Sequence, residues 1–183
     1  MDLTVLNNDF EKIGVIDDFT SLIWHRKFYT SGIFKIDLPQ TENNLAMIKE
    51  KNIIHKPGSD EAGIIDTYYY KRDDEGKEVI EASGYLLTGI LARRIVPSLT
   101  TFYASYRDIM RSLVDQNAIT TSAKRVIPHL ALAAAETDTA EKQELQVTGK
   151  NLLTYLGKVS QVAEIGFKIL YNCLLYTSDA ADD

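Results

Sequence analysis

The chain has 183 residues, of which 45% are hydrophobic and 25% charged, with 20 Lys and Arg against 26 Asp and Glu. That is ordinary globular composition with enough apolar residues for a buried core, and it excludes disorder, collagen or coiled coil as a description of the whole chain. The net charge of −6 at pH 7 lacks the basic footprint of a protein that holds nucleic acid stably.

One cysteine, Cys173, excludes an internal disulfide framework and a cysteine-built zinc site. No apolar run approaches the roughly 20 residues of a membrane-spanning helix, so no membrane insertion is expected. Residues Met1 to Val5 have neither the basic region nor the apolar run of a signal peptide. The expectation is synthesis in a cytoplasm, without export by a signal of the chain's own.

Residues 1–97 read as β-rich. Asp2 to Leu6 and Ile13 to Ile16 are short strand candidates, separated by the turn formers Asn7-Asn8-Asp9. Ser21 to Tyr29 is a longer one. Ile33 to Leu38 alternates apolar with charged residues, the period of a half-buried strand, and Pro39 stops it. Asn43 to Glu50 suits one or two helical turns, and Asn52 to His55 another strand. A hairpin follows, with arms Ala62 to Lys71 and Glu78 to Tyr85 around the turn Asp73-Asp74-Glu75-Gly76. Leu86 to Ile95 is apolar and ends in Arg93-Arg94, and pattern alone leaves strand and helix open there.

Beyond Pro97 the period changes. Phe102, Tyr106, Ile109, Met110, Leu113 and Val114 fall at helical spacing, which predicts a helix over about 101–116 capped by Thr100 or Thr101. Val126 to Ala135 reads as a strand, with helix open because of its Leu-Ala repeats. Thr137 to Lys142 is a polar loop and Glu144 to Thr148 a short strand. A second amphipathic helix is expected from about Gly149 to Gly166, followed by a strand from Phe167 to Tyr171.

Candidate chemistry is thin. His25, His55 and His129 lie on three different predicted strands without ligand spacing, so surface or half-buried strand histidines are expected rather than a metal site. No Gly-x-Ser-x-Gly elbow supports a hydrolase. Gly149-Lys150-Asn151 has Glu144 and Asn151 where a phosphate loop needs Gly and Ser or Thr. Asp17-Asp18 and Asp73-Asp74-Glu75 read as turn and loop acids, because sequence neighbours on a strand point to opposite faces. Trp24 and Tyr68-Tyr69-Tyr70 suggest a sugar platform or, more simply, packing, with Tyr68 and Tyr70 on one face and Tyr69 on the other. No catalytic, cofactor-binding or metal-ligating residue is assigned, and no cofactor is expected.

Several blocks in order carry a resemblance. They are Asp2 to Leu6 with Ile13 to Trp24, Tyr29 to Ile36, and Ile53 to Gly58 leading into Ala62 to Asp66. The most distinctive is Ser83 to Ile95. Asp115 to Ala118, Arg125 to Pro128 and Thr148 to Leu153 follow. Over roughly residues 2–171 the chain resembles a family of siphophage tail proteins of the baseplate-hub type (siphovirus ReqiPepy-type tail proteins). Ile33 stands where that family usually has an acidic or polar residue. Cys173 to Asp183 resembles translated sequencing-adapter read-through, as on metagenomic fragments, which would place the end of the natural coding near Asn172.

The expected fold class is α+β. A β-rich, barrel-like or sandwich-like antiparallel hub domain spans 1–97. A mixed α/β domain spans 98–172 and is expected to be truncated, and 173–183 is a non-native tail. The resemblance implies a virion structural protein and no enzyme. It would be a tail-tip or baseplate-hub subunit of a phage or prophage, a homotrimer forming a ring that continues the tail tube. Its partners would be itself, the distal tail protein, the tape measure and tip or fibre proteins. An acidic balance suits a lumen through which DNA slides. The alternatives are the N-terminal part of a tail-associated cell-wall-degrading enzyme, or a glycan-binding module.

Overall fold

The computed structural model describes residues 2–134 and 140–171, so Cys173 to Asp183 and the first half of the expected polar loop, Thr137 to Thr139, lie outside the described residues. Four strands open the chain: β1 (Leu3–Leu6), β2 (Lys12–Ile16), β3 (Ser21–His25) and β4 (Ile33–Pro39). The β1–β2 turn is held by Asn7, whose Oδ1 accepts the backbone N–H groups of Asp9 and Glu11, both at 2.9 Å. In β4, Phe34, Ile36 and Leu38 are buried and Lys35 and Asp37 are not, as their alternation predicts. Helix α1 (Glu42–Met47) is capped by Thr41, whose side chain accepts from Asn44 N. Strand β5 (Ile53–His55) and the hairpin β6 (Ala62–Arg72) and β7 (Glu78–Leu86) complete the β-rich part.

These seven strands form one antiparallel sheet in the order β2-β1-β5-β6-β7-β4-β3. Its two border strands are consecutive in sequence and run the same way. Only Asp17 to Thr20 join them. From Ile16 to Ser21 the chain spans at most ~18 Å. A flat seven-stranded sheet would hold its borders roughly 29 Å apart. The sheet therefore has to coil back on itself. It remains unclosed, because β2 and β3 do not pair with each other. The α+β class stands, with a strongly coiled open sheet in the place of a closed barrel.

The coil encloses the first core. Leu3, Val5, Ile16, Phe34, Ile36, Leu38, Ile54, Ile65, Ile80 and Ala82 meet there, with Met47 and Ile48 of the α1 region. A register shift between Ile65 and Thr67 lets both Ile65 and Tyr68 reach this core. It also leaves Ile64 on the opposite face. There Ile64 joins Leu6, Ile53, Ala62 and Leu87 in a second, smaller cluster.

Past β7 the structure corrects several expectations. Residues Leu87–Arg93 form a 3-10 helix, which settles the open reading of that stretch. The expected helix over 101–116 divides. Thr100–Ala104 is strand β8, and α2 (Tyr106–Val114) begins only after Ser105, whose Oγ accepts from Asp108 N. β-Branched and aromatic residues at 100–103 favour the extended chain, and β8 finds a partner in β9 (Gln143–Val147), with Phe102 opposite Leu145. A π-helical turn, Asp115–Ile119, extends α2.

The expected strand from Val126 is not formed through Ala134. Pro128 has no N–H for a ladder, and His129 turns the chain at φ 63°. Helix α3 (Leu152–Ala163) is shorter than expected at both ends. Gly149 has φ 67° and Asn151 is the cap, while Glu164 in the left-handed region, not Gly166, ends it. Residues 167–171 form no strand. They are held by hydrogen bonds from Ile169 N to Thr88 Oγ1 at 3.0 Å and from Tyr171 N to Asp60 O at 2.8 Å. Ile109, Leu113, Ile127, Val147, Leu152, Leu156 and Val159 form a third core between α2, α3, β9 and the segment around Ile127.

Candidate functional site

The residues singled out as candidate chemistry are scattered. His25 is exposed at the end of β3. His55 and His129 come closer to each other through aromatic contacts. The His55 ring lies 4.6 Å from Tyr171, Tyr171 stacks on Phe10 at 5.8 Å, and Phe10 meets His129 edge-on at 5.5 Å. This ladder borders a cleft of about 1010 Å³ that Leu87, Met110 and Ile127 also line. No group of three or more His, Cys, Asp or Glu is placed to hold a metal among the described residues.

The acidic pairs serve local structure. Asp18 accepts from Asn44 Nδ2 at 3.1 Å, and Asn44, 1% exposed, also donates to Pro39 O. That fixes α1 to the β2–β3 link. Asp73 Oδ1 accepts from the backbone of Glu75 and Lys77 and shapes the hairpin turn, with Gly76 at φ 81°. Asn151 accepts from Thr154 N and donates to Ala92 O, so the Gly149-Lys150-Asn151 run is a helix cap. Trp24 and Tyr68 pack against the first core, while Tyr69 projects from the other face, so the four rings share no single surface. Trp24 Nε1 also donates to Glu61, at 3.0 Å. Arg26 grips the same carboxylate with two hydrogen bonds, and chiefly through them holds it below the usual range.

Two arrangements escaped the sequence reading. The first lies on the outer face of the sheet. Glu81 of β7 is 5% exposed and pairs across the strands with Asp37 of β4 and Tyr69 of β6. Its carboxylate receives Lys35, Lys71 and the Tyr69 hydroxyl. Lys71 also stands 3.2 Å from Asp37. Burial pushes the Glu81 carboxyl up, but the hydrogen bonds from Lys35, Lys71 and Tyr69 outweigh it and hold the pKa at about 2. An anion so fully bonded is a poor base or nucleophile. It clasps three strands. The signal was present as polar residues at alternate positions of apolar strands.

The second is basic. Arg94 donates to Arg125 O, Val126 O and Arg93 O, and Arg125 donates to Ile95 O. Arg93 donates to the Tyr85 hydroxyl at 2.7 Å. Burial, with the charges of Arg125 and Arg93, lowers the Arg94 pKa from its usual value. The blocks around Arg93, Arg125 and Lys150 that carry the family resemblance meet here, as Val96 N donates to Lys150 O at 2.9 Å. No helix among the described residues is long and apolar enough to cross a membrane.

The coiled sheet and its packed helices have a counterpart of known structure. The crystal structure of prophage tail protein gp18 from Listeria monocytogenes EGD-e is similar in fold, with a TM-score of 0.60 at 10% identity. The likeness covers 87% of this chain and 45% of that one, so the chain spans a little under half the length of the tail protein it matches. No curated protein matches by sequence. A family profile described as Siphovirus ReqiPepy6 Gp37-like protein matches residues 2–176. With nearly the whole chain matched, this protein belongs to the family of Siphovirus ReqiPepy6 Gp37-like proteins.

Proposed function

We propose that the chain is a structural subunit of the tail tip of a phage or prophage, of the baseplate-hub type. Copies of it, three in number, assemble as a ring that continues the tail tube. One observation carries the reading. The coiled sheet is left open between β2 and β3, and neither border pairs with a further strand among the described residues. Unpaired strand edges recruit partners. Exposed apolar side chains gather on the same strands and their neighbour: Ile13 and Val15 on β2, Ile23 on β3 and Ile33 on β4. A neighbouring copy seated at these borders would cover them and satisfy the open backbone. The division into 1–97, 98–172 and an appended 173–183 belongs to the same reading, as do the distal tail, tape-measure and fibre proteins as neighbours.

The experiment is sedimentation velocity with negative-stain electron microscopy on the full chain. A discrete three-fold ring is the expected particle. Ile23→Lys, which sets a charge on the β3 border, should disperse it while leaving the circular dichroism unchanged. A wild-type chain that stays monomeric at every concentration would sink the proposal.

A further inference from the structure

The acids of this chain are unevenly spread. None occurs from Ala82 to Arg107, from Gln116 to Ala135, or from Leu145 to Ala163. The fold brings these three segments together. Arg94 binds the carbonyls of Arg125 and Val126, Val96 N binds Lys150 O, and Asn151 Nδ2 binds Ala92 O. The junction therefore collects Arg93, Arg94, Lys124, Arg125 and Lys150 in a protein whose net charge is −6. The guanidinium partners of Arg93, Arg94 and Arg125 are carbonyls and one tyrosine hydroxyl. Among the described residues no carboxylate neutralises these three. Beside them Ile95 and Leu99 are exposed.

The opposite pole is acidic. Strand β7 runs from Glu78, at the hairpin turn, to Tyr85, whose hydroxyl takes Arg93. The seven steps from Glu78 to Tyr85 cover roughly 23 Å of extended chain. Around the turn, Asp73, Asp74, Glu75 and Glu78 face only Arg72 and Lys77 as bases. Lys77 pairs with Glu75 and Arg72 with Glu78, and Asp73 holds the turn, which leaves Asp74 without a partner among the described residues. Next to this tip Tyr69 and Tyr70 are exposed. Each end of β7 thus carries charge of one sign beside uncovered apolar surface.

We propose that the basic junction of one copy receives the acidic β6–β7 hairpin tip of the next copy. Asp74 and Glu75 face Arg93 and Lys124, and Tyr70 beside the tip meets Ile95 and Leu99. The two surfaces differ, so the contact is head-to-tail, the kind that closes into a ring when its rotation permits. Opposite charges steer the encounter and reject like poles. The basic residues then face a neighbouring subunit and leave the acidic balance of the chain for the lumen. This inference rests on the self-assembly proposed above and adds a second contact to the one at the β2 and β3 borders.

Sedimentation of charge-reversed full chains tests it. One variant carries Arg93→Glu with Lys124→Glu, a second carries Asp74→Lys with Glu75→Lys, and a third carries all four. Arg94, which ties the backbone, is left intact. Thermal melts verify that each variant folds, with Arg93→Gln and Lys124→Gln as milder substitutes for any that does not. Wild-type association is expected to weaken as salt rises from about 0.05 M to about 0.5 M. Each single-pole variant should raise the dissociation constant roughly tenfold or more, and the four-fold variant, or a mixture of the two single-pole variants, should recover it. Association equal in wild type and variants overturns the pole contact and leaves the ring reading standing. A loss that neither the four-fold variant nor the mixture restores also overturns it. A wild type monomeric at both salt levels overturns both.

Discussion

Glu81 on β7 stands directly across from Asp37 on β4 and from Tyr69 on β6, and its carboxylate is the point where the three strands are tied. Folded, it has a pKa of about 2 against an ordinary value of 4.5. A depressed carboxyl stabilises the folded state above the unfolded pKa, and that stabilisation is lost as the pH falls through the folded one. Glu81→Gln should therefore lower the thermal midpoint by several degrees at pH 7. The gap between variant and wild type should narrow below pH 4.5 and close near pH 2. Melts followed by circular dichroism across that range check it. A gap independent of pH would show that the charge of Glu81 contributes nothing.

Gly84 on β7 stands across from Ile65 on β6 and Phe34 on β4. A Cβ at Gly84 would sit 1.9 Å from the Ile64 carbonyl oxygen, and backbone cannot swing away as a side-chain tip can. Gly84→Ala should cost about 3 kcal/mol or more, measured by urea unfolding. Gly58→Ala, where nothing lies within 4 Å but φ is 76°, should cost only about 1 kcal/mol.

Leu156 of α3 is 1% exposed in the third core, beside α2. Leu156→Ala should destabilise by about 2–5 kcal/mol, the usual range for an uncollapsed leucine cavity. The urea midpoint should shift with little change in slope.

Asn151 has two tasks, capping α3 through Oδ1 and bonding Ala92 O through Nδ2. Asn151→Ala should cost about 1–2 kcal/mol. Asn151→Asp keeps the cap and loses the donor. It should protect the first turn of α3 in amide exchange while loosening the link to the 3-10 helix. Equal exchange in the two variants would refute the division of roles.

Legibility followed the range of the forces involved. Ile33 to Leu38 and the two arms of the hairpin announced themselves by alternation, and their apolar sides are buried as that pattern requires. Thr100 to Ala104 did not. Phe102 and Tyr106 are spaced to suit a helix, yet pairing with Gln143 to Val147, some forty residues on, decides for a strand. Histidines, acids and aromatics that looked scattered in sequence are mostly scattered in space. The polar clasp around Glu81 left only an unspecific signal, because its members come from three strands, each carrying one or two polar residues that a half-buried strand would carry anyway.

Composition and local pattern were enough for the α+β class, for most of the strands before Pro97 and for the existence of two longer helices, because these depend on side-chain periodicity and on turn residues close by. The coil of the sheet and the meeting of Arg93, Arg125 and Lys150 depend on something else. A link of four residues between the border strands forces the sheet to curl, and long-range packing selects which distant segments share a surface. Such contacts leave little trace in any one stretch of chain, because their energy belongs to pairs of residues far apart in sequence.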